Sequence, residues 1–479
     1  MGAHTRVRGG TDHDGTGPRA PHRSLWLREA LGDAPPEPRL AGTERADIAI
    51  VGGGFVGLWT AIGIKRRAPA SDVVVLEQDV CGGGASGRNG GMVLSWWPKL
   101  ASLVKLGGIE RGLHLARASE AAIAEIGAFC EAHDIDAAFR RGGFLWTATT
   151  PAQVDAWEGV VGLCESLGVE AFKRMDPAEV AERAGSARHL AGVFDAAAAT
   201  VQPAMLARGL RRVALELGVR IFEGSQVTGF SRDRPLTLRT PRGVLTAEKI
   251  VLATNAWAAT LPELRRSLVV VSSDIVATPP IPERLGEIGW TGGESVTDSQ
   301  MMVAYYRTTR DGRIVFGKGT AAVTLGGRIG DAYDRDDSRS DMTAADFRRT
   351  YPALADVPIE QAWGGPIDRT PTSLPILGHL GGRPDVLYGV GWSGNGVGPS
   401  VVGGRILTSL ALGEEDEWST SPLVDRPHDR FPPEPIRFLG AQIVRQAVVR
   451  KERAEADHRS PSALDVRIAK LAPAGLEDK

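Results

Sequence analysis

The chain has 479 residues, a formal net charge of −2 and a hydrophobic fraction of 42%. That length suits two or three globular domains, the near-neutral balance gives no broad electrostatic footprint for nucleic acid, and no run of about 18 apolar residues is present to span a membrane. Cys81, Cys130 and Cys164 have neither CxxC nor metal spacing; with scattered histidines and no HExxH, they indicate no metal site and a reducing cytoplasmic setting.

Residues 1–44 read as a flexible arm and linker. They are rich in Gly, Arg, His and Thr, with a short helix over 25–31 and a linker marked by Pro35, Pro36 and Pro38. The arm has no apolar segment of the secretory kind. The informative stretch follows. Residues 47–51 suit a buried strand, Gly52 to Gly57 form GxGxxG, 58–65 read as a helix, and 72–76 as a second strand ending in Glu77. This is a βαβ dinucleotide-binding unit with its parts in order. Gly52 permits the tight turn, Gly54 lets backbone approach a pyrophosphate, and Gly57 allows close packing of helix and strand. The helix start at Phe55 and Val56 offers N–H groups and partial positive charge. Glu77, 20 residues past Gly57, is placed to bind ribose hydroxyls and would repel a 2′-phosphate. Two further GxGxxG matches begin at Gly82 and Gly389, but neither has this context.

A long amphipathic helix is expected over 109–133, a strand over 143–149 and a helix over 152–168. A helix at 203–217, strands at 219–222 and 249–254, and β segments at 268–271, 301–308 and 313–317 come next. The polar run 331–341 reads as a loop. Parallel α/β character returns with a strand at 385–388 and a helix at 400–412, and an amphipathic helix is expected over 438–449. The fold class is therefore α/β with an α+β second domain. A discontinuous Rossmann-like domain (45–98, 200–262 and 360–413) carries an inserted, β-rich antiparallel substrate domain (99–199 and 263–359), and 414–479 form a C-terminal helical extension.

Four segments in order resemble the D-amino-acid oxidase class of FAD-dependent amine oxidoreductases: Val51 to Gly57, Gly84 to Gly91 (Gly-Ala-Ser-Gly-Arg-Asn-Gly-Gly), Ile250 to Trp257, and Gly391 to Pro399 (Gly-Trp-Ser-Gly-Asn-Gly-Val-Gly-Pro). The second is similar to γ-glutamylputrescine oxidase-like members. The extension Met92 to Lys99 and the C-terminal segment resemble a branch described as aminophosphonate oxidoreductases. The resemblance implies FAD held without a covalent bond, since no His or Cys adjoins Asn89. Gly84, Ala85, Ser86, Arg88, Asn89, Gly90, Gly91 and Met92 would lie along the flavin and its diphosphate. Glu77 and Gln78 would lie at the ribose, Val227 at adenine, and Thr254 and Asn255 near the flavin. Gly391, Trp392, Ser393, Gly394, Asn395, Gly396 and Val397 would face the flavin pyrimidine.

The implied chemistry is oxidation of a C–N bond, with hydride passing to flavin N5 and the imine hydrolysing to a carbonyl compound. The substrate is a small amine with an anionic group: an aminoalkylphosphonate such as 2-aminoethylphosphonate, or alternatively γ-glutamylputrescine, glycine, sarcosine or a D-amino acid. A non-catalytic flavoprotein subunit is the reading from another class. Oxygen or another acceptor takes the electrons. Candidate substrate-side residues are Tyr306 and Arg307, Lys318, Trp392, Trp97 and Lys99. Arg307 offers an anion fork or a surface ion pair, and Lys318 a group assisting oxygen reduction. Trp96 and Trp97 form either an ammonium cage or core packing. Alternation puts Tyr305 and Arg307 on one strand face and Tyr306 on the other; which face meets the flavin stays open, as does the oligomeric state.

Overall fold

The computed structural model describes residues 4–6, 23–32, 35–427 and 429–473. Two sheets organise it. In the first, Gly42–Val51 runs parallel to Gly243–Leu252 on one side and to Val73–Leu76 on the other, and Arg220–Phe222 extends the parallel run. Val386–Val390 also pairs parallel with Gly243–Leu252. Val73–Leu76 is buried along its whole length, as expected for a parallel strand covered on both faces. The helix Phe55–Arg67 packs against Pro203–Glu216 and Pro399–Leu412, so three helices cover one face behind the glycine-rich turn.

The second sheet has eight strands, in the order Gln361–Arg369, Val269–Ala277, Ile314–Lys318, Ala304–Thr308, Ser295–Thr297, Phe144–Ala148, Ala191–Asp195, Lys173–Arg174. Its pairings are antiparallel except that between Ser295–Thr297 and Phe144–Ala148. Gln361–Arg369 was expected in the nucleotide domain. It instead pairs along its length with Val269–Ala277, so the 360–413 segment crosses from one sheet to the other before returning at Ile376–His379.

Other departures have local causes. The polar run expected as a loop ends in the helix Asp337–Thr350, capped by the Asp336 carboxylate accepting from the Arg339 N–H at 2.9 Å. Its buried side includes Arg339, which pairs with Asp274 at 2.9 Å; a long-range ion pair leaves no apolar stripe to read. The long helix starts earlier than expected and spans Leu100–Ala132, interrupted at Gly108 with φ 79°. Within 152–168 only Glu158–Ser166 is α-helical. The N-terminal arm contributes the strand His4–Arg6, paired with Gly229–Ser231, while residues 7–22 lie outside the described residues. The helix Leu25–Leu31 is docked rather than flexible: Leu25, Trp26 and Leu27 are buried. No helix among the described residues is long and apolar enough to cross a membrane.

Candidate active site

One elongated cavity runs between the two sheets. Its nucleotide end is lined by Gly52, Gly54, Phe55, Val56, Glu77, Gln78 and Val227. Gly52 adopts φ 113°, and a Cβ there would lie 2.4 Å from the Ala253 carbonyl oxygen, so the turn requires glycine. Gly57 does not line the cavity; its missing Cβ would sit 2.0 Å from the Gly52 oxygen, so its role is packing. The Glu77 carboxylate accepts from Gly53 N–H at 2.7 Å and Asp79 N–H at 2.9 Å. Burial pushes Glu77 up to about 7, against those two bonds, which pull it down.

The middle is formed by Gly84, Ala85, Ser86, Arg88, Asn89, Gly90 and Met92. Ser86 Oγ accepts the Phe55 N–H at 2.9 Å, tying this loop to the start of the dinucleotide helix. Arg88 donates to Gly83 O at 3.0 Å and pairs with Asp334. Four successive carbonyls of the loop are held by side-chain donors from distant segments. Ser24 Oγ binds Gly87 O at 2.6 Å, Trp363 Nε1 binds Arg88 O at 2.9 Å, Trp26 Nε1 binds Asn89 O at 2.9 Å, and Arg307 Nε binds Gly90 O at 2.8 Å. Gly91 lies outside the cavity lining, with φ 72°, and a Cβ there would lie 2.2 Å from the Val201 carbonyl oxygen and 2.7 Å from the Arg307 guanidinium.

At the inner end, Thr254, Asn255, Trp392, Ser393, Gly394, Asn395, Gly396 and Val397 line the wall. Asn255 and Ser393 have φ 47° and 55°, non-glycine backbone held in the left-handed region beside the cavity. Both are held by Asp368, which the sequence did not single out. Its carboxylate accepts from Trp392 N–H at 3.1 Å, Asn255 Nδ2 at 3.2 Å and Gly391 N–H, while its carbonyl accepts from Ser393 N–H at 3.1 Å. Burial lifts Asp368 to about 7 despite the bonds from Gly391 and Trp392. Gly391 itself lies behind the wall.

The substrate-side residues divide sharply. Lys99 and Trp392 line the cavity, joined by Trp96, Thr297, Met301, Val303, Tyr305 and Arg369. Tyr306, Arg307, Lys318 and Trp97, also expected on the substrate side, do not. Tyr306 points to the opposite face of its strand, stacked on Phe316 at 4.7 Å, and its hydroxyl donates to His189 Nε2 at 2.6 Å. His189 stays neutral, because burial pulls it down to about 4. Arg307 shares the Tyr305 face, but its guanidinium is spent on Gly90 O and Val201 O and lies 5.1 Å over the Trp26 ring. It positions the loop and forms neither an anion fork nor a surface pair. Lys318 pairs with Asp346 at 2.5 Å and donates to Gln300 Oε1 and Met302 O, behind the wall. Trp97 Nε1 donates to Glu120, so the tryptophans that line the cavity are Trp96, Trp257 and Trp392.

Tyr305 is the tyrosine that meets the loop. Its hydroxyl is 2.7 Å from Ser273 Oγ, and a Cβ on Gly90 would lie 3.0 Å from its ring. Arg369, at the end of its strand, donates to Ser373 Oγ at 3.3 Å, and burial lowers its guanidinium to about 10. The only sequence signal for Asp368 and Arg369 was a charged pair ending an apolar run before Thr370-Pro371.

Comparison with known proteins agrees with this geometry. Residues 47–410 match the family described as DAO, FAD dependent oxidoreductase. The probable oxidoreductase OrdL of Rhizobium meliloti (strain 1021) is 30% identical over 401 residues, covering 82% of this chain and 89% of that protein. The γ-glutamylputrescine oxidoreductase of Escherichia coli (strain K12) is 27% identical over 417 residues, covering 86% and 93%. The crystal structure of glycine oxidase from Geobacillus kaustophilus aligns with a TM-score of 0.64 at 21% identity, covering 81% of this chain and 100% of that one, a likeness of fold. The chain belongs to the DAO family of FAD-dependent oxidoreductases. It is an FAD-dependent oxidoreductase of amine or amino compounds, and its cavity fits that cofactor: a glycine turn at a helix start, a carboxylate after the second strand and a loop of small residues leading to the second sheet.

Proposed function

We propose that the protein oxidises a C–N bond of a small primary or secondary amine carrying an anionic group, with an aminoalkylphosphonate such as 2-aminoethylphosphonate as the preferred substrate. The observation that carries this reading is the pair of cations, Lys99 and Arg369, on a cavity wall shared with Trp96, Tyr305 and Trp392. The carboxylates lining the cavity among the described residues are Glu77, at the nucleotide end, and Asp368, whose oxygens accept backbone and amide donors. A phosphonate offers three oxygens to a guanidinium fork and an ammonium group. FAD, when bound, supplies a two-electron acceptor for hydride from the carbon bearing nitrogen. The residues of this chain then orient the amine and exclude water; no His lines the cavity among the described residues, so the walls supply positioning rather than a proton-transfer dyad.

The absence of lining His or Cys among the described residues also supports FAD held without a covalent bond. The three cysteines are unpaired and buried, which suits a cytoplasmic setting. γ-Glutamylputrescine is the second reading, favoured by the Escherichia coli relative; it too presents an anion and an amine.

The test is anaerobic mixing of the yellow holoenzyme with 2-aminoethylphosphonate, its N-methyl form, γ-glutamylputrescine, glycine, sarcosine and D-alanine. Rapid bleaching by the phosphonates alone is the expected result, and readmission of air then separates an oxidase from a dehydrogenase. Bleaching only by the carboxylates or by γ-glutamylputrescine overturns the phosphonate assignment, and no bleaching by any of them points to a non-catalytic subunit.

A further inference from the structure

The C-terminal helix Ile436–Ala456 lies beyond the family match, which ends at residue 410, yet it reaches the cavity wall from behind at two points. Glu452 Oε1 accepts the Met302 N–H at 2.8 Å, and Arg445 Nε donates to Thr320 O at 2.8 Å. The flanking residues of both contact points, Met301 and Val303 on one segment and Gly319 and Ala321 on the other, line the cavity. The two segments are joined to each other by Gly319 N–H donating to Val303 O at 3.0 Å. Lys318 Nζ bridges Met302 O and Gln300 Oε1 to Asp346. Met302 itself packs with Val448 and Ala469 of the C-terminal helices. Glu452 is buried at 8% relative exposure, so its bond to Met302 is shielded from water, and losing the acceptor would leave a buried N–H without a partner.

We propose that this helix is a brace that sets the shape of the amine end of the cavity, with Glu452 and Arg445 as positioning residues that determine which amines fit. The helix touches neither substrate nor cofactor. It holds segments 298–303 and 319–321 in one arrangement, so that Met301, Val303 and Ala321 present a fixed surface to the substrate. Loosening it weakens substrate binding while leaving FAD, which rests on the first sheet and the Gly84 to Gly90 loop, in place. The assignment of this end of the cavity to the amine rests on the proposed function above; the bracing does not.

The experiment compares full-length holoenzyme carrying Glu452→Leu, Glu452→Gln and Arg445→Met with the wild type. Backbone hydrogen exchange at 298–303 and 319–321 is read first, without substrate. KM and kcat follow, for 2-aminoethylphosphonate or whichever amine of the panel bleaches the flavin, together with FAD content. Expected for Glu452→Leu are exchange faster by about tenfold in segment 298–303 and a KM raised about tenfold, with kcat within about twofold and FAD content unchanged. Arg445→Met does the same at 319–321. Glu452→Gln, which keeps an acceptor for the Met302 N–H, restores wild-type values. Unchanged exchange in Glu452→Leu overturns the brace whichever amine is the substrate. Faster exchange with KM unaltered, or parallel loss of FAD and kcat, overturns its role in substrate selection.

Discussion

The two ends of the cavity are built by different means. The nucleotide end is made of backbone: Gly52, Gly54 and the helix start at Phe55 form one continuous segment, closed by Glu77 from the adjacent strand. The proposed amine end is made of side chains. Lys99, Thr297, Tyr305, Arg369 and Trp392 come from five separate segments. A site written in backbone tolerates almost no added atoms, whereas a site written in side chains is tunable, one group at a time.

That contrast predicts a graded series of effects. Gly57→Val is the most severe, because a Cβ 2.0 Å from the Gly52 oxygen displaces the turn itself. Overpacking of this kind costs about 3 kcal/mol or more, and the purified variant is expected to be colourless or insoluble, as read from its flavin-to-protein ratio. Arg369→Gln comes next. It keeps its flavin and loses about 10- to 100-fold in kcat/KM for the anionic amine, the worth of one charge-assisted hydrogen bond, as measured by steady-state kinetics. A full flavin complement with unchanged kinetics would break the comparison at this end.

Asp368 gives a pH-dependent effect. Burial raises its carboxyl from 3.8 to about 7, so the folded chain binds this proton more tightly than the unfolded chain does. Its contribution to stability is full below about pH 4 and is lost as pH rises through about 7. Asp368→Asn is therefore expected to flatten the fall in apoprotein melting temperature between those pH values, while removing one acceptor from the Asn255–Trp392 junction. Matched melting curves of the two proteins test this. The smallest effect is expected for Tyr306→Phe, with kcat/KM within about twofold and a stability loss of about 1 kcal/mol from the bond to His189. Tyr305→Phe, on the cavity face of the same strand, is expected to lower kcat/KM several-fold.

The legibility of the sequence follows the same division. The βαβ unit and the motifs ending at Gly91 and starting at Gly391 could be read directly, because glycine spacing encodes backbone shape over a few residues. The strand carrying Tyr305 and Tyr306 was legible too, and so was its alternation, but the face that meets the cavity depends on which sheet side the Gly84 to Gly90 loop covers. Lys318 looked suitable for chemistry because its strand resembles those of the γ-glutamylputrescine oxidase-like group; its actual partner, Asp346, sits on a helix whose polar sequence concealed it. Arg307 was misjudged for a related reason: an isolated arginine does not announce that a backbone carbonyl, Gly90 O, will be its acceptor. Asp368 and Arg369 were missed because the strand Gln361–Arg369 belongs to the second sheet, a pairing with Val269–Ala277 across about 90 residues that no local pattern reports.

The central claim is that Arg369 and Lys99 make the amine end an anion site, and binding of an unreactive anion tests it most directly. Ethylphosphonate, which has no nitrogen to oxidise, would be titrated into the wild-type holoenzyme and into Arg369→Gln while the flavin absorption spectrum is followed. A saturable spectral change in the wild type, weakened about tenfold or more in the variant at equal flavin content, is the predicted result. No spectral change in the wild type, or equal affinity in both proteins, would contradict it.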